Sequence, residues 1–246
     1  DEEEYYLFVG IDLLIADGGS VRIFIRQLLD FYYDRFDKNR QNAFTFKDYV
    51  EALNDFSESS TYKEDKDYWM EQISLIPPAP MLPLQKDPSV IRKPQFARIE
   101  KVIPKSEWNV LQKEAKKKGI TTSTLLCTAY ALVLGYWSNQ PELTINVTVF
   151  TRYPFNEGVT DIVGDFTSVI LLRVNLLGRS DFWKLASEIQ NQLMDALEHR
   201  HYDGMNVIRK IAEQAEMKEQ AVMPVVFTSL LFSMEEGDIV TIEDLG

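Results

Sequence analysis

The stretch "IPPAPMLPLQKDP", residues 76–88, constrains this chain more than any other. It holds Pro77, Pro78, Pro80, Pro83 and Pro88, half of the chain's ten prolines. Proline fixes φ and has no backbone N–H, so such a run continues neither a helix nor a central strand. Residues 76–95 therefore read as a linker crossing the surface between two lobes. Helix and strand periodicities restart after it.

A chain of 246 residues can build one large domain or two lobes around a sizeable core. Its 45% apolar content points to a packed fold. The single cysteine, Cys127, forbids an internal disulfide and offers no cysteine cluster for a metal. A net charge of -12 argues against a nucleic-acid partner. No window reaches the roughly 18 apolar residues of a membrane span. The start, Asp1-Glu2-Glu3-Glu4, is the reverse of a basic signal-peptide start. Cytoplasmic localisation is expected.

Before the linker, residues 6–15 read as a buried strand. Val21, Phe24, Ile25, Leu28 and Leu29 mark a helix over 20–33, with Ser20 as its N-cap. Residues 46–53 and 62–73 read as two more helices. After the linker, 96–103 reads as a strand and 104–118 as a helix. Its last turn carries Lys116, Lys117 and Lys118 before Gly119, a pattern that suits the helix dipole and needs no ligand. "TSTLLCTAYALVLGYWS", residues 122–138, is apolar nearly all round and predicts a buried helix. Strands follow at 143–150, 166–174 and 225–232. Between the last two, a long helix opens at Ser180 with Phe182, Leu185, Ile189 and Leu193 on one face. "HYDG" turns into a further helix carrying Val207, Ile208, Ile211 and Ala215. Strands mixed with helices predict an α/β layered lobe.

The chemistry-bearing residues gather at strand ends. There is no phosphate-cradling glycine loop and no nucleophile elbow. His199 and His201 sit at a helix end, where histidine complements the dipole. Asp12 and Asp17 stand five residues apart around the apolar run 13–16, where a charge is costly unless paired or hydrogen-bonded. Thr151-Arg152 follows one strand. "GDFTS", with Asp165 and Thr167, opens the next, and "PVVFTS", with Thr228 and Ser229, forms the last. Polar groups in otherwise apolar strands suggest a lined channel. Thr167 or Thr228 alone is more often an ordinary β-former.

These motifs together resemble the condensation superfamily of nonribosomal peptide synthetases, and within it the heterocyclization domains. The resemblance rests on "DLLIAD" (12–17), "DYWMEQISLIPPAPMLPL" (67–84), "TSTLLCTAYALVLGYWS" (122–138), "VGDFTSVILL" (163–172) and "MPVVFTSLL" (223–231), in the family's order. It implies a lobe like chloramphenicol acetyltransferase, a mixed sheet with flanking helices. To this it adds the end of a preceding lobe and an interlobe linker. The expected boundaries are 1–75, 76–95 and 96–246. Ordinary condensation domains carry two histidines and then Asp-Gly at the first motif. Here Asp12 and Leu13 take the histidine positions, and Asp17-Gly18 keeps the terminal pair. The five-residue aspartate spacing is the heterocyclization signature.

The resemblance implies that Asp17 is structural and pairs with an arginine, for which Arg152 is the candidate. Asp12 either caps the backbone of the corner or serves as a tunnel acid. Thr228 and Ser229 match positions linked to ring closure. Thr151, Asp165 and Thr167 shape the site. No cofactor or metal is bound directly. The substrates ride on the phosphopantetheine of carrier proteins, beside an adenylation domain. The implied reaction joins a carrier-bound thioester to a carrier-bound Cys, Ser or Thr and closes a thiazoline or oxazoline ring.

Three departures stand against the pattern. Gly246 precedes any Gln-Thr-Pro-Gln motif, the chain starts just before "DLLIAD", and Thr151 stands where the family usually has asparagine. The chain is thus expected to be part of a larger domain, incomplete by itself. Amide condensation without ring closure, and a non-catalytic carrier-docking module, are the two rival readings.

Overall fold

A computed structural model describes residues 6–35, 43–178, 181–214 and 221–231. Its elements, in chain order, are α1 (Gly18–Tyr32), α2 (Phe46–Phe56), α3 (Ser60–Gln72), α4 (Lys105–Lys117), α5 (Thr122–Ser138), β1 (Glu142–Phe150), β2 (Thr167–Asn175), α6 (Phe182–Glu198), α7 (Gly204–Gln214) and β3 (Val226–Phe227). Short 3-10 turns lie at Ile73–Leu75, Pro88–Val90 and Glu157–Asp161. The sheet order is β2-β1-β3, and β3 runs parallel to β1. The amide of Leu176 bonds the carbonyl of Pro141, and the amide of Thr151 bonds that of Phe166, so β2 runs antiparallel to β1. This mixed sheet with flanking helices is the α/β class read from the sequence.

Two compact units are present. The first comprises residues 1–66 and 149–168, the second 67–148 and 169–246.

The first unit is organised by aromatic rings. Tyr49, Val159, Ile162 and Phe166 form its buried cluster, covered by Phe44, Phe46, Leu53, Tyr153 and Phe155. Tyr49 meets Phe166 edge-on at 4.7 Å between ring centroids, and Phe46 meets it at 5.2 Å. The Tyr49 hydroxyl donates to the Thr151 carbonyl at 3.0 Å and accepts the Tyr153 amide at 3.2 Å. Burial pushes that phenol's pKa upward. Helix α2 is held by a capping box, in which Thr45 accepts the Asp48 amide and Asp48 accepts the Thr45 amide. At Gly164 a side chain would strike the Phe46 ring, so only glycine lets this loop close on α2.

The second unit is built around α5 and β1. Cys127 and Ala131 on α5 are fully buried, and α5 packs against α4 and α6. That apolar-all-round helix is the buried one the sequence predicts. Asn139 ends it in the left-handed conformation, at φ 53°. On β1, Leu143, Ile145 and Val147 bury one face. Thr144, Asn146 and Thr148 alternate with them on the other. The linker does more than cross the surface. Thr144 donates its amide to the Pro78 carbonyl at 3.0 Å and its hydroxyl to the Pro77 carbonyl at 2.6 Å. The start of the proline run is thus pinned to the central strand. Gly204 opens α7 where a Cβ would sit 2.5 Å from the Val169 carbonyl oxygen.

Several expectations need correction. Residues 6–12 are not a strand, and Leu7, Phe8 and Leu14 are exposed. The Asp12 carboxylate accepts the Leu14 amide at 2.9 Å and turns the chain at 13–15. The preceding residues do not join the described sheet, which consists of β2, β1 and β3. Residues 96–103 are likewise not a strand, with Phe96 95% and Ile99 97% exposed. They too stand outside the described three-stranded sheet, and apolar periodicity alone does not supply backbone partners. Helix α1 is capped by Asp17, with Ser20 in its third position. β3 is shorter than 225–232, because beyond Phe227 the pairing passes from backbone to side chains. Ser180, Ala215 and Phe232 lie outside the described residues. Helix α6 has Asp181 as its N-cap.

Candidate functional site

The first unit holds the two-aspartate corner. Asp12 is exposed and caps the 13–15 turn. Asp17 sits at the N-terminus of α1, where unpaired amides and the helix dipole favour a carboxylate. Its Oδ1 accepts the Ser20 amide at 2.7 Å. The same oxygen receives Arg152 Nη2 at 3.2 Å, with the Asp17 side chain 1% exposed. Asp17 Oδ2 is buried with no hydrogen-bond partner among the described residues. The two aspartates five residues apart thus cap two successive backbone breaks, the turn and then the helix.

Arg152 is the hub of this corner. Its Nη1 donates to the Val159 and Ile162 carbonyls at 3.0 and 2.8 Å. Its Nη2 also reaches the Ser20 hydroxyl at 3.1 Å. The guanidinium carbon lies 3.8 Å from the Phe166 ring centroid, a cation–π stack. Ser20 was read only as a cap, yet it ties the corner together. Its hydroxyl donates to the Gly164 carbonyl at 2.7 Å and accepts the Gly164 amide at 3.0 Å. The amide of Asp17 bonds the same carbonyl at 3.1 Å. A serine beside two glycines was the sequence signal, and it was spent on the wrong role.

The remaining first-unit residues are local. Thr151 closes the β1–β2 pairing through its amide and offers its carbonyl to Tyr49. Asp165 is exposed and accepts the Thr167 amide at 2.9 Å, capping the entry to β2. The Thr167 side chain is exposed as well.

The second unit holds the hydroxyls of "PVVFTS". Thr228 is exposed, and its Oγ1 lies 2.8 Å from Thr148 Oγ1. Ser229 is half-buried and accepts the Leu231 amide at 3.4 Å. Further along β1, Asn146 Nδ2 donates to the Met223 carbonyl at 3.2 Å, while its buried Oδ1 has no partner among the described residues. The sequence reading missed Thr144, Asn146 and Thr148. Their signal was the alternation of "LTINVT", in which every second residue is polar.

His199 caps α6, its Nδ1 2.9 Å from the Asp195 carbonyl, and its ring stacks on Tyr68 at 3.6 Å. That is the structural role read for it. Tyr68 donates to Asp195 at 2.9 Å, and burial together with that carboxylate pushes its phenol to a pKa of about 12. A cavity of about 500 Å³ in this unit is lined by Leu75, Pro77, Glu142, Arg173, Leu185 and Gln192, and none of the sequence-predicted residues reaches it. No single helix among the described residues is long and apolar enough to cross a membrane.

Comparison with known proteins places these features in a family. The Condensation domain model matches residues 1–241. Bacitracin synthase 1 of Bacillus licheniformis is 41% identical over 230 residues, which cover 93% of this chain and 4% of that protein. Phenyloxazoline synthase MbtB of Mycobacterium tuberculosis is 30% identical over 231 residues, covering 93% of this chain and 16% of that one. The cyclization-docking bidomain of EpoB from Sorangium cellulosum matches with a TM-score of 0.82 at 33% identity, over 96% of this chain and 47% of that one. The chain thus spans a small part of the curated relatives and about half of that solved structure. With the family model covering nearly its whole length, the chain belongs to the condensation-domain family of nonribosomal peptide synthetases.

Proposed function

We propose that this chain is part of a heterocyclization domain of a cytoplasmic nonribosomal peptide synthetase. The domain would take its substrates from two carrier proteins, on phosphopantetheine arms, next to an adenylation domain. Residues 1–75 would be the end of a first lobe and 96–246 part of the second, joined through 76–95. The observation that carries the reading is the first corner. It has two carboxylates spent on capping, and exposed Leu13 in place of a histidine base. A leucine cannot move a proton, so the corner shapes the fold and the proton chemistry lies elsewhere. Similarity to the EpoB cyclization domain supports the same reading.

The first step forms an amide. The amine nitrogen attacks the thioester carbonyl, the C–S bond breaks, and the thiol leaves on its arm. In the second step the side-chain thiol or hydroxyl adds to the new amide carbon. The former carbonyl oxygen then departs as water, leaving a C=N bond. That departing hydroxyl needs a proton, which is general acid–base work. Thr228 and Ser229 are the residues assigned to relaying it.

The test is mass spectrometry of the carrier-bound product made by the full-length parent, since ring and open dipeptide differ by one water. Thr228→Ala and Ser229→Ala should slow ring closure more than amide formation. The loss should be about 100-fold, the low end for acid–base groups. Equal loss of both steps would speak for misfolding. Thr151, where the family usually carries asparagine, favours the rival of condensation without ring closure. A wild-type parent that yields only open dipeptide would decide for that rival.

A further inference from the structure

We infer that Thr148 is a positioning residue that aims the Thr228 hydroxyl, a role that rests on the ring-closing reading above. The parallel ladder pairs Asn146 with Val226 and Val147 with Phe227. Continued by one rung it pairs Thr148 with Thr228, and there the two hydroxyls meet at 2.8 Å. In a parallel pair, residues on one rung point to the same face. Thr148 belongs to the nine-residue strand β1, flanked by strands on both sides. Thr228 lies just past the two-residue β3, where the backbone ladder has ended. The side chain with the fixed backbone therefore holds the one without.

The chemistry of this contact differs from that of the two polar residues before it on the same face of β1. Thr144 donates to the Pro77 carbonyl and Asn146 to the Met223 carbonyl. A carbonyl only accepts, so in both contacts the side chain is the donor. At Thr148 both partners are hydroxyls, each able to donate and to accept. The pair holds two protons and its own bond uses one. The other O–H is not used by that bond. If Thr148 donates, the Thr228 oxygen is polarised by the bond it accepts, and its own proton becomes the better donor. Such a proton suits a departing hydroxyl. No covalent change in Thr148 is involved.

Cross-strand threonine pairs are also ordinary sheet contacts, and the experiment separates the two roles. Thr148→Val keeps shape and strand preference and removes the hydroxyl; Thr148→Ser restores it. In the full-length parent, ring closure and amide formation are timed separately by carrier-bound product mass, with thermal unfolding as the control for folding. Thr148→Val should slow ring closure about tenfold more than amide formation. Thr148→Ser should recover most of that loss. Thr148→Val added to Thr228→Ala should cost ring closure nothing further, because the two act through one hydroxyl. Thr148→Val that closes rings at the wild-type rate, or that slows both steps equally, overturns the role of Thr148 alone. A wild-type parent making only open dipeptide overturns the ring-closing reading, and this role with it.

Discussion

Arg152 Nη2 stands 3.2 Å from Asp17 Oδ1, joining residues 135 positions apart across the first unit. The Asp17 carboxylate is almost fully buried and depends on this partner and on the Ser20 amide. Removing one member of such a pair leaves the other charge uncompensated, at a typical cost of about 3–5 kcal/mol. Asp17→Ala should therefore lower the midpoint of denaturant unfolding before any catalytic effect is scored. Asp17→Asn, which still caps the helix, should lose less. Unchanged midpoints for both would contradict the pairing.

Arg152→Lys should fail to restore what Arg152→Ala loses. The guanidinium serves the Val159 and Ile162 carbonyls with one nitrogen and Asp17 and Ser20 with the other, while stacked on Phe166. A lysine ammonium is a point charge without that planar fork. The lysine variant should keep the attraction to Asp17 and lose the carbonyl bonds and the stack. We expect about 1–3 kcal/mol of destabilisation, from hydrogen bonds to a charged group. A lysine variant as stable as wild type would show that charge alone holds the corner.

The capping box of α2 gives a pH test. The Thr45 hydroxyl and amide hold the Asp48 pKa below its ordinary value of 3.8. Folding is therefore favoured by the ionised carboxylate. That contribution is complete above the unfolded value and is lost as pH falls through the folded one. Thr45→Ala should cost about 1 kcal/mol at neutral pH, a common figure for an N-cap. The difference from wild type should shrink as pH drops below about 4, the usual aspartate value. A difference that grows with acid would reverse the sign and refute the argument.

Cys127 should be silent in the folded chain. Burial pushes its thiol to a pKa of about 12, so almost no thiolate exists at neutral pH. A maleimide or disulfide reagent should label it only as fast as the unit opens, and rapidly in denaturant. Rapid labelling of native chain would mean that α5 is not the packed helix described here.

Helices with several turns of apolar spacing were legible in the sequence, and so was β1. Each carries its own signal, either a full period or a cap such as Thr45 or Asp181. The Asp17–Arg152 pair was expected from the family resemblance, and the cost of a lone carboxylate in an apolar run agreed with it. What failed was the environment of residues 6–15 and 96–103. Their apolar patterns are those of strands, but a strand exists only beside another, and periodicity does not say whether one is there. Ser20 was misassigned because serine and aspartate both cap helices. Which of them does so was decided by Gly164, far away in sequence. Thr148 was passed over for a similar reason. Its partner stands eighty residues on, and only the parallel register of β1 and β3 brings the two together.

The tie between Thr144 and the proline run bears on how such domains can be recombined. Its two acceptors are the backbone carbonyls of Pro77 and Pro78, which every residue type carries. Its donors are a backbone amide, which every residue but proline carries, and one hydroxyl. The contact is therefore blind to sequence on the linker side and reads a single side chain on the strand side. A chimera with its crossover between residues 78 and 144 inherits a working attachment from almost any parental linker, as long as position 144 arrives as serine or threonine. The same crossover with valine at 144 would keep the strand and the amide bond to Pro78 and lose the hydroxyl bond to Pro77.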